Sequence, residues 1–420
     1  MNKPQLQIED FYAFKFGAMW AYCKTQHFSF WMICSYLFVE FVRPQSIIPA
    51  LNFLPWAMLF ILFSAIGACL DKSITWVSAP TNKWMVLLLI TVVISVMTAF
   101  YPDISKRHFM DFFNWFIIYF LIISIINTKE RFYIFLCVFL ISGAKIAVGT
   151  AKVWAFRGFS FTSWGLSGPP GYFQNSGELA ILMLVLFPLF FFLSQSLKPR
   201  VKKWESYILM FLWICPILTI LGASSRGAQI ALVLELLIIF RKSFFKIKPL
   251  VFVLVLSVGL FQLMPDEQKK RFSESGDDKT SQQRLLYWKH GREMIYEHPL
   301  TGVGFFNFSP YFEDYFSQDM LYPHAELPHN IFIQVGTDVG VIGLACFGIL
   351  IISCIFESIK IAGNKAIDPI WRSIVAGLGI GVFGFAIAGQ FVTVTYYPFL
   401  WINLSFIMAA RNILAIKIEK

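Results

Sequence analysis

The sequence predicts an all-α polytopic membrane protein with about twelve transmembrane helices and one large, helix-containing loop outside the cytoplasm. Three observations lead there. Of 420 residues, 57% are hydrophobic and only 14% are Asp, Glu, Lys or Arg, against about 25% charged in soluble domains. Apolar runs of spanning length recur along the chain. One polar segment alone, 265–328, is long enough to build a folded site in water.

A helix crosses the hydrocarbon with about twenty apolar residues, range roughly 17–25. By that ruler, spans are expected near 28–42, 54–70, 84–101, 109–126, 132–151, 177–197, 206–222, 227–240, 248–264, 329–356, 371–392 and 396–416. The aromatic stretch Phe11 to Tyr22 carries Lys15 and reads as an interfacial helix. The expected organisation is a cytoplasmic or interfacial N-terminus (1–27), a bundle of about nine helices (28–264), the large loop (265–328), and about three further helices with a cytoplasmic C-terminus (329–420). The first ten residues are polar and precede no small-residue cleavage site, so a removable signal peptide is not expected.

The net charge of +10 does not point to nucleic acid, because Lys and Arg concentrate in short loops, above all 198–203 and 241–248. Placing those loops in the cytoplasm satisfies the positive-inside rule and puts 265–328 on the other side. The seven cysteines lie almost all in apolar segments, with no CxxC pair, so neither a disulfide framework nor a zinc site is indicated. No metal or other cofactor is called for; His324, His329, His290 and His298 do not make a metal-ligand spacing.

Within the loop, Thr280-Ser-Gln-Gln283 fits a capping box, opening a helix from about Ser281 to Glu297 that stops before Pro299. Arg284, Trp288 and Arg292 are four apart and share one face. Tyr311, Phe312, Tyr315 and Phe316 suggest a short amphipathic piece on the membrane surface. Three spots could carry chemistry: Ala223-Ser-Ser-Arg226-Gly-Ala228, the loop helix, and Leu327-Pro-His329-Asn330 where the chain re-enters the membrane. Taken singly, Arg226 reads as well as an interface anchor, Arg284 as a solvated helix face, and His329 as a structural residue. Together they suit one task, which is gripping an anionic headgroup while a proton leaves an alcohol. Arg donates bidentate bonds to phosphate and never deprotonates, and a helix N-terminus favours neutral imidazole.

Ionisable residues inside spans are candidates by default. Lys145 and Glu178 fall toward the outer half, with snorkelling an equal reading for Lys145. Asp338, nine residues past His329, is expected about 13 Å deeper, facing the bundle interior.

Ser225-Arg226-Gly-Ala228, Arg284-Leu-Leu-Tyr-Trp288, His298-Pro-Leu-Thr-Gly302-Val-Gly304, His329-Asn330 and Asp338-Val-Gly340-Val-Ile-Gly343, in this order around one long loop, resemble the O-antigen ligase and polymerase superfamily of bacterial envelope glycosyltransferases. Glu40-Phe-Val-Arg43-Pro-Gln-Ser46 also looks like openings seen in that family. The resemblance covers about Thr219 to Phe347. It implies an inner-membrane helix bundle with a periplasmic active site, an undecaprenyl-pyrophosphate-linked glycan donor, and metal-independent transfer to lipid A–core or another hydroxyl acceptor. It also implies that Arg226 and Arg284 hold the pyrophosphate and that His329 activates the acceptor. Arg292, Asp338, Lys145, Glu178 and Arg43 are additional candidates. The sequence departs from the family in having Asp338 where Glu is common. Ligase, polymerase and protein O-oligosaccharyltransferase remain open as acceptor classes. A lipid-linked sugar transporter is the rival from another class, though transporters place their sites at the midplane between related halves.

Overall fold

The structure is a computed structural model and describes residues 8–12, 15–162, 165–241 and 278–415. Among these, every regular element is helical. We number the main helices α1 Phe16–Cys23, α2 Phe28–Val42, α3 Trp56–Leu70, α4 Asn82–Thr98, α5 Pro102–Ile125, α6 Lys129–Phe156, α7 Ser176–Leu197, α8 Lys203–Gly222, α9 Arg226–Phe240, α10 Lys279–Glu297, α11 Phe308–Tyr315, α12 Ile331–Gly363, α13 Pro369–Ala388 and α14 Pro398–Ala415. Every span expected within the described residues is a helix. The expected span 248–264 and the charged run 266–277 lie outside them. Among the described residues, six helices are long and apolar enough to cross a membrane: α5, α6, α7 with its following turn, α8, α12 and α13; α3, α4 and α14 are apolar but shorter.

The centre is set by α7 and α14, which are apolar all round and therefore belong inside. Glu178 to Phe190 of α7 are all buried, as are Phe399 to Ala410 of α14. Helix α7 packs on α13 and α8, α12 on α13 and α4, and α14 on α5 and α13. Phenylalanines do much of the filling: Phe132, Phe135 and Phe139, spaced along one face of α6, close on Phe406 at ring distances of 5.5, 5.1 and 5.5 Å.

Four local expectations are revised. Helix α10 is capped by Asp278, not by a box at Thr280: the Asp278 side chain accepts from the Ser281 backbone N–H. Helix α11 turns Phe308, Tyr311 and Phe312 inward onto Tyr287 and Met294 of α10 and does not offer them to a membrane surface. Phe11 and Tyr12 are buried, Tyr12 against Tyr133, while exposed Phe16 and Trp20 lie on α1. The break between the last two spans, expected at 393–395, is wider and runs over 389–397.

Helix α12 is broken at Gly340, whose φ of 72° and ψ of −173° are non-helical. That region of backbone space is essentially restricted to glycine. The break admits the turn 298–304: Val303 N–H donates to Thr337 O and Val341 N–H to Pro299 O. Irregular backbone at this depth is tolerable because protein satisfies its polar groups.

Candidate functional site

The ends of α2, α4, α6, α8 and α13 meet the starts of α5, α7, α9, α12 and α14 at one end of the bundle, and α10 lies across it. The order of chain reversals brings all three candidate spots there.

Arg226 is the first residue of α9, after a turn in which Ser224 takes a left-handed φ of 57°. A cation at a helix N-terminus opposes the macrodipole, so this is a costly place for a mere anchor. Its Nη2 lies 3.4 Å from Asp278 Oδ2 and 3.5 Å from Ser281 Oγ. Burial works against ionised Asp278, but hydrogen bonds from Ser281 and the Arg226 charge hold its carboxyl below the usual range. Gly227 is required by packing: a Cβ there would come within 2.6 Å of the Phe391 ring, which itself lies 6.1 Å from the Trp288 ring of α10.

Arg284 projects from the second turn of α10. Burial first, then the like charge of Arg226, lower its pKa, and Asp278 and Glu326 oppose them. The two guanidiniums therefore share one electrostatic environment. The Arg284 Nε is buried and has no hydrogen-bond partner among the described residues, an arrangement native proteins normally avoid.

His329 stands two residues before α12, in a left-handed φ of 51°, with Asn330 capping the helix through Phe332 and Ile333 N–H. Its Nε2 is 2.7 Å from Glu326 Oε2, and its Nδ1 is 3.5 Å from Thr393 Oγ1. The segment carrying Glu326 and His329 is clamped to α10: the Glu326 N–H donates to Tyr287 Oη at 2.9 Å and Trp288 Nε1 donates to Pro328 O at 2.9 Å. The hydrogen bond from His329 first, then the charges of His329 and Arg284, hold the Glu326 carboxyl below its usual range. Glu326 thus couples the imidazole to the Arg284 charge. As an ionised acceptor it fixes the proton on Nε2 and leaves Nδ1 as the basic nitrogen.

The additional candidates fall elsewhere. Asp338 is fully buried, accepting from Phe306 N–H and Tyr396 Oη at 3.0 Å each. It secures the inserted turn and does not reach the rim. Glu178 closes a capping box on Asn175 N–H and accepts from Tyr397 Oη at 3.0 Å. Lys145 is exposed and donates to Val42 O at 3.2 Å, beside Arg43, whose Nη1 donates to Pro170 O at 2.9 Å and whose guanidinium lies 5.6 Å from the Tyr172 ring centre. Arg292, two turns beyond Arg284, is exposed in an open surface groove with Lys289, Glu293, Tyr296 and Glu297.

Sequence reasoning passed over Glu326, Asp278 and the segment 389–397. The i, i+3 spacing of Glu326 and His329 was a usable signal. The Thr393-Val-Thr-Tyr-Tyr-Pro398 run, polar and aromatic between apolar stretches, was another.

Comparison with known families gives one finding of weight: residues 208–348 match the family model described as O-antigen ligase. The match contains Arg226, Arg284, His298–Gly304, His329 and Asp338–Gly343, and it bears out the resemblance read from those motifs. No curated protein matches the chain.

Proposed function

We propose that this chain, with its O-antigen ligase segment, is an inverting glycosyltransferase of the bacterial inner membrane. It moves a glycan from undecaprenyl pyrophosphate to a hydroxyl of lipid A–core at the periplasmic rim. One observation carries the reading: Arg226 pairs with Asp278 at the head of α10, Arg284 with its buried Nε stands in the second turn of that helix, and the segment clamped to the same helix carries His329 with its Glu326 partner. Asp278 and Glu326 offset part of the repulsion between the two cations. A diphosphate adds negative charge there and an acceptor for the buried Arg284 Nε–H.

In the reaction, the acceptor oxygen attacks the anomeric carbon opposite the diphosphate. The bond from that carbon to the phosphate oxygen breaks as the new glycosidic bond forms. The acceptor proton passes to Nδ1 of His329, whose Nε2–H is held by Glu326. The bonding electrons leave with the diphosphate, and Arg226 and Arg284 stabilise the charge that grows there. Donors aimed at developing charge are each worth about 2.7–4 kcal/mol, or 10²–10³ in rate. No covalent sugar–enzyme intermediate is needed, hence inversion.

Deleting the gene and separating surface glycans on gels tests the activity and its acceptor. Loss of all glycan on lipid A, with lipid-linked polymer still made, is the expected result. Single-repeat glycan on lipid A indicates a polymerase instead, and an unchanged ladder overturns the reading.

A further inference from the structure

If Glu326 occupies Nε2 of His329, the acceptor must approach Nδ1, on the side of Thr393. In-line displacement demands the same side, because the acceptor enters opposite the leaving diphosphate. From Thr393 the chain runs to Tyr397, and what surrounds that segment has no part in the chemistry described above.

One wall is α5. Trp115 Nε1 donates to Tyr396 O at 2.7 Å, and its ring lies 6.4 Å from that of Tyr172. Asp111, one turn earlier, shares that face. Its Oδ2 is 2.8 Å from His108 Nδ1, and both side chains are over two-fifths exposed. His108 stacks on Phe306 at 4.2 Å with ring planes 9° apart. Phe306 holds a left-handed φ of 59° while its N–H donates to Asp338, a strain the buried carboxylate maintains. The opposite wall is Tyr172 and Tyr397, with rings 5.0 Å apart and edge to face. Both are only half-buried. Burial, then Glu40 and next Asp111, raise the Tyr172 phenol; burial, then Glu178, and further down Asp111, raise that of Tyr397. The Asp111 charge therefore acts on both phenols.

We infer that His108, Asp111, Tyr172 and Tyr397 form a sugar-binding subsite that seats the hydroxyl-bearing sugar of a glycolipid acceptor against Nδ1 of His329. The inference rests on the function proposed above. A carboxylate accepts two hydrogen bonds from a vicinal diol, the imidazole and phenols supply donors and acceptors, and aromatic faces cover the C–H face of a pyranose. A hydroxyl on a peptide side chain has no use for such a surface, so the subsite favours a glycan acceptor over a Ser or Thr acceptor.

Native mass spectrometry on the full chain in detergent tests this with two probes: lipid A–core from a strain lacking surface glycan, and bare undecaprenyl pyrophosphate. Wild type binds both. Asp111→Asn and Tyr172→Ala weaken lipid A–core roughly tenfold or more and leave undecaprenyl pyrophosphate unchanged. Lipid A–core that ignores wild type, binds the variants as well as wild type, or is lost in parallel with the carrier overturns the subsite. Failure of undecaprenyl pyrophosphate to bind wild type overturns the donor assignment and the inference with it, and is told apart because it needs no variant.

Discussion

Glu326 Oε2 lies 2.7 Å from His329 Nε2, three residues along the chain, and the same carboxylate feels the charge of Arg284. Replacing Glu326 by Gln removes the charge and leaves the tautomer unfixed. Transfer is expected to slow, by less than the roughly 10²–10⁴ that loss of a general base costs. Because the folded carboxyl is held below its usual range, it stays ionised and its contribution is in place above its unfolded value of about 4.3. That contribution is lost only as pH falls through the lower folded value. The wild-type to Glu326→Gln rate ratio therefore does not fall with rising pH from about pH 5 upward. A ratio that declines through the neutral range contradicts the assignment.

Asp278 caps α10 and faces Arg226 at 3.4 Å. Asp278→Ala removes both roles. Loss of such a cap costs about 0.5–2 kcal/mol, so thermal unfolding in detergent shifts downward. Asp278→Ser keeps a cap but no charge; it is expected to recover the stability and not the turnover.

Gly227→Ala pushes a Cβ to 2.6 Å from the Phe391 ring. Overpacking of this kind costs roughly 1–3 kcal/mol and displaces the start of α9, with Arg226 itself intact. Adding Phe391→Ala makes room, so the double variant transfers glycan better than Gly227→Ala alone. Additive loss in the double variant rejects the contact as the cause.

Gly340→Ala meets two penalties: a φ of 72° and a Cβ 2.5 Å from Pro299 O. Strain of this class costs about 1–3 kcal/mol before the clash is counted. The variant is expected to yield little folded protein by size-exclusion chromatography, whereas Gly348→Ala, with open space around it, behaves as wild type.

Much of this end of the molecule was legible in the sequence. Apolar runs fixed the helices because hydrocarbon demands unbroken backbone pairing, and the motif spacing picked Arg226, Arg284 and His329. The reentrant turn was half legible: Gly302, Gly304 and Gly340 flagged special backbone, but their meeting inside α12 is a long-range contact that no local pattern encodes. Asp338 was legible as a buried acid in a span, but its partners, Phe306 N–H and Tyr396 Oη, come from distant segments. The apolar pattern puts the break before the last helix at 393–395, too short to draw notice, so Thr393 and Tyr397 are not picked out although they border His329 and Glu178. Arg292 shares a helical repeat with Arg284, and only the structure shows that Arg284 Nε is buried while Arg292 is exposed in an open groove.

The central claim is that Arg284 acts on the departing diphosphate. Single-turnover transfer from the host's lipid-linked glycan by reconstituted Arg284→Ala, beside wild type and His329→Ala, measures it most directly. The account predicts a fall of roughly 10²–10³ for Arg284→Ala with the protein still folded. Turnover close to wild type in that variant, with His329→Ala inactive, contradicts it.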